Sequence, residues 1–241
     1  MTRTIILIRH AEKLTWPSGN TPEAHAKLFY EDNHQLSAKG FERAHALAGY
    51  FLYRPEMRAL FSEAPLASVV SQGVDSLGGA GKSFRPKQTV APLIATLSLP
   101  NASRTLSADA PSPCTSIASS AGVSMRDFVK RDVHAMLDWL KTSPDLAGKS
   151  AIVSWSHQTL PHLAVSLGVP PEAVPKKWGK RFDVTWVVKI TGAGVASLIQ
   201  LPQNLLFGDE NAPIKLKGGF DVGLLQELAR NEVDDDAEVD E

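Results

Sequence analysis

The chain is poor in the features that secreted and membrane proteins need. It holds one cysteine, Cys114, in 241 residues, which excludes an internal disulfide or a site built from several thiolates and suits a reducing compartment. No apolar run is long enough to span a bilayer. The apolar part of the opening MTRTIILIRH is too short for a signal peptide and reads as a strand. A cytoplasmic address is the expectation, with neither a membrane nor nucleic acid as partner. There is no internal repeat and no linker that would divide the chain into two cores. A strong net charge is also missing: the balance is -1. That figure conceals an asymmetry, because the closing NEVDDDAEVDE carries seven of the 26 acids and leaves 19 acids against 25 Lys and Arg before it. The body is therefore modestly basic, which suits an anionic substrate. Residues 231–241 read as a solvated, disordered acidic tail behind a single domain at 1–230.

What is present is an alternation of strand and helix patterns. With 43% hydrophobic residues the chain can bury one sizeable core. Ile5 to Ile8 form an unbroken aliphatic run, the mark of a central strand covered on both faces. After a long polar loop from Leu14 to Gln35, Ala44, Leu47, Ala48 and Phe51 recur at helical spacing, with Ser37 able to cap the start. ASVVS reads as a short buried strand ending at Ser71. A Gly-rich loop follows, then RPKQTVAPLIATLSL, a helix opened by proline. A strand is expected near SRTLS. A helix is expected in MRDFVKRDVHAMLDWLKT, with Phe128, Val129, Val133, Met136, Leu137 and Leu140 on its apolar face. The strand SAIVSWS, the helix TLPHLAVSLG and the strand pair DVTWVVKI and GVASLIQL close the body. This order predicts an α/β fold in three layers, α/β/α, with a mostly parallel sheet and a late antiparallel edge strand.

Two strands end alike. IILIRH and AIVSWSH both stop an apolar run on a histidine, His10 and His157, just where helical or loop sequence begins. Ligands of open α/β sheets bind beyond the carboxyl ends of the strands. If both strands are central and parallel, neighbours lie about 4.8 Å apart, so the two imidazoles and Arg9 could share a pocket. Other candidates read as bland. GGAGKS ends like a phosphate-binding loop, but that pattern needs glycine where the chain has Ser76, and no helix follows at once. His25, His34, His45 and His134 lack partner spacing, and His162 is one residue too far from His157 for a helical metal pair. Trp178, Phe182 and Trp186 are expected to anchor the late strands by burial, and Asp183 to orient a neighbouring backbone.

RHAEK, LSAKGFERA, RPKQT and WSHQTLPHLAVSLG stand in the order of four segments of the histidine phosphatase superfamily, the phosphoglycerate-mutase-like fold. They resemble its Arg-His-Gly/Ala-Glu, Leu-Ser/Thr-x-x-Gly, Arg-x-x-Gln-Thr and second-histidine regions. The resemblance implies that His10 is the nucleophile that takes the phosphoryl group, with Arg9, Arg85 and His157 around the phosphate. Lys13 and Gln158 are further candidates for phosphate contact. Arginine offers a planar donor fork to phosphate oxygens, and an in-line transfer needs such groups around its equatorial oxygens. No cofactor and no metal are expected.

Two departures from the pattern bear on mechanism. Residues 72–84 intervene before Arg85, where the family carries its arginine a few residues after the second strand; they read as an inserted loop. His157 is followed by Gln158 where one branch has an aspartate as proton donor, so the donor is sought elsewhere. Asp109, after the third candidate strand, is the first choice and Glu12 the second. The expectation is a phosphohydrolase acting on a small phosphorylated molecule through a phosphohistidine. A mutase-type phosphotransferase and an inactive phosphate-binding module are the alternatives.

Overall fold

A computed structural model describes residues 1–14, 34–75, 82–98 and 122–216. Six strands form one sheet: β1 (Arg3–Arg9), β2 (Leu66–Gly73), β3 (Ser124–Val129), β4 (Ser150–Trp155), β5 (Val184–Ile190) and β6 (Ala196–Pro202). Five helices accompany them: α1 (Ala38–Tyr53), α2 (Pro55–Glu63), α3 (Arg85–Leu97), α4 (Val133–Thr142) and α5 (Leu160–Ser166). The strand order is β3-β2-β4-β1-β5-β6. The first four of these, from β3 across to β1, run parallel. β5 is antiparallel to β1, and β6 is antiparallel to β5. The reversed strand of the late hairpin is thus β5, inside the sheet, while β6 at the edge runs with β1 again.

The aliphatic runs explain the layers. Side chains alternate across a strand. Ile5 and Leu7 of β1 join Ala151, Val153 and Trp155 of β4 in a core with Met136, Leu137 and Leu140 of α4 and Leu163 of α5. Ile6 and Ile8 turn the other way, onto Leu47 and Phe51 of α1, Phe61 of α2 and Leu93 of α3. Ile5 through Ile8 are all fully buried, at about 1.5–3 kcal/mol each relative to exposure. That is why neither face of β1 tolerates the polar alternation of a half-exposed strand. Helices cover both faces, as expected of an α/β/α arrangement.

One element differs from the expectation. MRDFV belongs to strand β3, which pairs in parallel with β2, and the helix begins only at Val133. Phe128 and Val129 therefore lie on a strand and not on a helical apolar face. β3 is an edge strand whose first four residues are exposed, so it lacks the apolar alternation that marks a strand in sequence, and its Phe128 and Val129 fall by chance into the helical spacing of α4. The strand expected near SRTLS, together with Asp109, Cys114 and the acidic 231–241 segment, lies outside the described residues. The strand that partners β2 is 124–129, so Asp109 precedes it in the chain. No described helix is long and apolar enough to cross a membrane.

Candidate active site

β1 and β4 are neighbours with Arg9 opposite Trp155, so both chains leave the sheet at one edge. The His10 amide bonds to the Trp155 carbonyl at 3.2 Å, which continues the ladder one residue beyond the strand. His10 is 4% exposed, and its Nδ1 lies 2.7 Å from the carbonyl oxygen of Ala11. A carbonyl can only accept, so Nδ1 carries the proton and the lone pair of the neutral ring sits on Nε2. Burial lowers the His10 pKa well below its ordinary value. The positive charges of Arg9 and Arg85 and, more weakly, His157 lower it further, against an opposing effect of the Ala11 carbonyl. The ring is neutral at pH 7, and three other sequence-predicted residues, Arg9, Arg85 and His157, lie within electrostatic reach of it.

Each cation has its own support. Arg9, the last residue of β1, donates from Nη1 to the Gly179 carbonyl at 2.7 Å and to that of Arg181 at 3.5 Å. Its guanidinium carbon lies 3.9 Å from the Phe182 ring centroid, a cation–π contact. Arg85 opens α3 and is 3% exposed. Thr89, one turn later, donates to the Arg85 carbonyl at 2.7 Å and accepts from the Ala11 amide at 2.8 Å. This single hydroxyl ties the helix that carries Arg85 to the loop that carries His10. Gln88 accepts from the Leu36 amide at 2.9 Å, so the Gln-Thr pair fastens two loops to one helix start. His157 is half-buried beyond β4, and the preceding Ser156 amide donates to Gln72 of β2 at 3.2 Å. Gln158 is half-buried beside it. Lys13 forms an isolated bridge with Leu36.

Glu12 serves a different partner. Both of its oxygens accept from Arg43, at 2.8–3.0 Å. Arg43 in turn donates to Asp209 at 2.6 and 3.1 Å. In this geometry Glu12 receives donors and supplies none. Burial works to lower the Arg43 pKa, but the two carboxylates prevail and hold it above its ordinary value. Desolvation works to raise Asp209, but hydrogen bonds from Arg43 and from the Leu206 and Leu205 amides overcome it and lower the group to about 2. The Glu12 carbonyl sits at the start of α1, accepting from the Ser37 amide at 2.9 Å. A Cβ on Gly40 would come within 2.2 Å of that oxygen, which accounts for the glycine in LSAKG. Ser37 caps α1 as expected, accepting from the Gly40 amide at 3.1 Å.

Sequence reasoning missed Arg43, Asp209 and the loop that holds Arg9. Arg43 had a signal: it shares the buried stripe of α1 with Gly40, Ala44 and Leu47, where an arginine needs a partner. Phe182 is not a burial anchor of the late strands. It is half-buried, stacked on Arg9 with its ring 6.2 Å from that of His10. Trp178 and Trp186 do anchor them, buried with ring centroids 4.5 Å apart. Asp183 orients backbone, accepting from the Glu210 amide at 2.6 Å. Among the described residues no three His, Cys, Asp or Glu side chains converge as metal ligands.

No protein-family model matches the chain, and no curated protein matches it. Among solved structures, the chain is similar to SixA from Agrobacterium tumefaciens, a protein assigned as a phosphohistidine phosphatase. The identity is 12%, the match covers 77% of this chain and 90% of that one, and the TM-score is 0.37. The site is accordingly read from its own geometry.

Proposed function

We propose that the protein is a phosphohydrolase that turns over a small phosphate monoester through a phosphohistidine on His10. The observation that supports this best is a buried imidazole whose Nδ1 is taken up by the Ala11 carbonyl, which leaves the lone pair on Nε2, with Arg9, Arg85 and His157 within electrostatic reach of it. In the first step Nε2 attacks phosphorus, the bond to the ester oxygen breaks, and the leaving alkoxide takes a proton. In the second, water attacks the phosphohistidine, the P–N bond breaks, and phosphate and free His10 are released. Arg9, Arg85 and His157 hold the equatorial oxygens as charge moves through each transition state. Asp109 is the proposed proton donor. The arginines supply the charge stabilisation that a metal provides elsewhere, so the reaction is proposed to be metal-independent.

The experiment is trapping of the phosphoenzyme. Labelled substrate should yield an acid-labile, alkali-stable adduct that is absent in His10→Ala, with turnover that survives EDTA and is inhibited by vanadate. Undiminished hydrolysis in His10→Ala would sink the mechanism. For the donor, Asp109→Asn should slow an alkyl phosphate by roughly a hundredfold or more and an activated aryl phosphate far less; equal slowing of both removes Asp109 from the role.

A further inference from the structure

The peptide unit between Trp155 and Ser156 is held from both sides. Its carbonyl accepts from the His10 amide at 3.2 Å, and its N–H donates to Gln72 Oε1 at 3.2 Å. A peptide group is planar and does not rotate, so one rigid unit stands between the backbone of His10 and a glutamine side chain. Sheet pairing alone does not supply the second of these bonds. The parallel register of β2 with β4 ends at Ser71 and Ser154, which leaves the Ser156 N–H past the last pair. Gln72 provides from its side chain the acceptor that the ladder no longer offers. This glutamine belongs to β2 and not to an inserted loop, and its backbone is paired on the other side with Phe128 of β3. It reaches Ser156 from a fixed base.

Ser156 is in turn the root of the turn that carries His157. Its carbonyl accepts from the Thr159 amide at 3.2 Å. Its hydroxyl lies 3.2 Å from that of Thr159, the residue that leads into α5. The N–H, the carbonyl and the hydroxyl of Ser156 are thus all engaged, and His157 is the next residue in the chain. Ser156 is buried, so loss of its acceptor would strand the N–H away from water at about 1–3 kcal/mol, a cost the turn can relieve only by moving. Gln72 is itself fully buried, and its Nε2 has no hydrogen-bond partner. A buried donor left in that state is unfavourable. The same strand fills neighbouring buried positions with Val69 and Val70, where packing is the only need. What accounts for a glutamine here is the bond made by its Oε1.

We infer that Gln72 is a positioning residue for phosphoryl transfer: through the Ser156 amide it sets where His157 stands relative to His10, whose own amide is bonded to the other end of the same peptide unit. The inference rests on the reading of the His10 pocket as a phosphoryl-transfer site. It is tested by a double-mutant cycle with His157→Ala, on hydrolysis of p-nitrophenyl phosphate. Gln72→Met keeps the length of the side chain and removes the acceptor. In the parent background it should lower kcat about a hundredfold, the scale of a misplacement of about 1 Å, and by no more than His157→Ala does, with KM changed less than about threefold. In the His157→Ala background it should lower kcat less than about threefold further, because the group it acts through is gone. Gln72→Asn draws the acceptor back by one methylene and should show the same pattern, so it carries the test if the Met variant does not fold. Parental kcat in either folded variant, a loss carried by KM, or a full further loss in the His157→Ala background overturns the role and leaves the phosphohydrolase intact. So does a His157→Ala variant with parental kcat, since Gln72 would then have nothing to act through. If the parent hydrolyses no phosphate ester, the phosphohydrolase reading fails, and the same cycle is read in calorimetric affinity for inorganic phosphate. Weakening of about tenfold in the parent background alone keeps Gln72 in its role; equal weakening in both backgrounds, none in either, or a parent that binds no phosphate overturns it.

Discussion

Arg9 and Arg43 are equally buried, at 2% exposed each, and they do opposite things. Arg43 is wrapped by two carboxylates, Glu12 and Asp209. The contacts that hold Arg9 include the Gly179 and Arg181 carbonyls and the Phe182 ring, groups that orient a guanidinium through dipoles and a π face. The consequence appears at His10, whose pKa is lowered by burial and then by the Arg9 charge, so the field of Arg9 is still felt in the pocket. A buried arginine closed by acids builds structure; in the proposed mechanism the one held by carbonyls and a ring turns its charge toward the phosphoryl group. Place in the chain does not separate them: the same short loop after β1 carries His10, the proposed nucleophile, beside one arginine and Glu12, the carboxylate that anchors the other.

The strongest way to break the comparison is Arg9→Met. If Arg9 serves the transferring phosphoryl group, kcat/KM should fall about ten-thousand-fold, within the range found for arginines that stabilise such transition states. Unfolding stability should fall less than in Arg43→Met. A modest kinetic loss together with a collapse in stability would show that Arg9 is a structural residue after all.

Arg43→Met should act the other way. Removing one member of a buried ion cluster leaves Glu12 and Asp209 desolvated without a partner, a loss of about 4 kcal/mol to be read by denaturant unfolding. The triple variant Arg43→Met/Glu12→Gln/Asp209→Asn should recover much of that loss, because the stranded charges go with their partner. If the single variant unfolds no more easily than the parent, the cluster does not hold the fold.

The sequence was most legible where one residue's chemistry forces a local structure. The runs ending at His10 and His157, the proline-opened α3 and the Ser37 cap could all be read from neighbours in the chain. The central position of β1 and β4 followed from the aliphatic character of both runs, whereas their parallel pairing stood in the sequence only as a condition. Edge strand β3 could not be read, because an exposed strand has no core face to impose a period of two. The supports of the site were hidden for another reason. Gly179, Phe182 and Asp209 reach Arg9 and Arg43 across more than 160 residues of chain, and nothing local marks a carbonyl or a ring as the partner of a distant guanidinium. Glu12 shows the limit most clearly, since its place in RHAEK two residues after His10 made it a candidate acid while its partner lay on α1.

The smallest expected effect separates the two regions by pH. Asp209 titrates at about 2 when folded against an ordinary 3.8. Its folded pKa is depressed, so its contribution is present above about 3.8 and is lost as pH falls toward 2, on the order of 1–2 kcal/mol in all. His10 is also depressed, below 6.5. For a base this means that the unfolded chain binds the proton first, so stability begins to fall as pH drops through 6.5. The two losses occupy different windows. In unfolding free energies measured from about pH 8 to about pH 2, His10→Ala should shrink the upper window to the part that His162, also lowered by burial, contributes, and leave the lower one, while Asp209→Asn should flatten the lower and leave the upper. Turnover should follow His10 alone: because the folded ring stays neutral below its ordinary pKa, the acid limb of kcat/KM should lie under pH 6.5. An acid limb at or above 6.5 would mean that Arg9 and Arg85 do not act on His10 as their placement requires, and the distinction between the two arginines would lose its functional half.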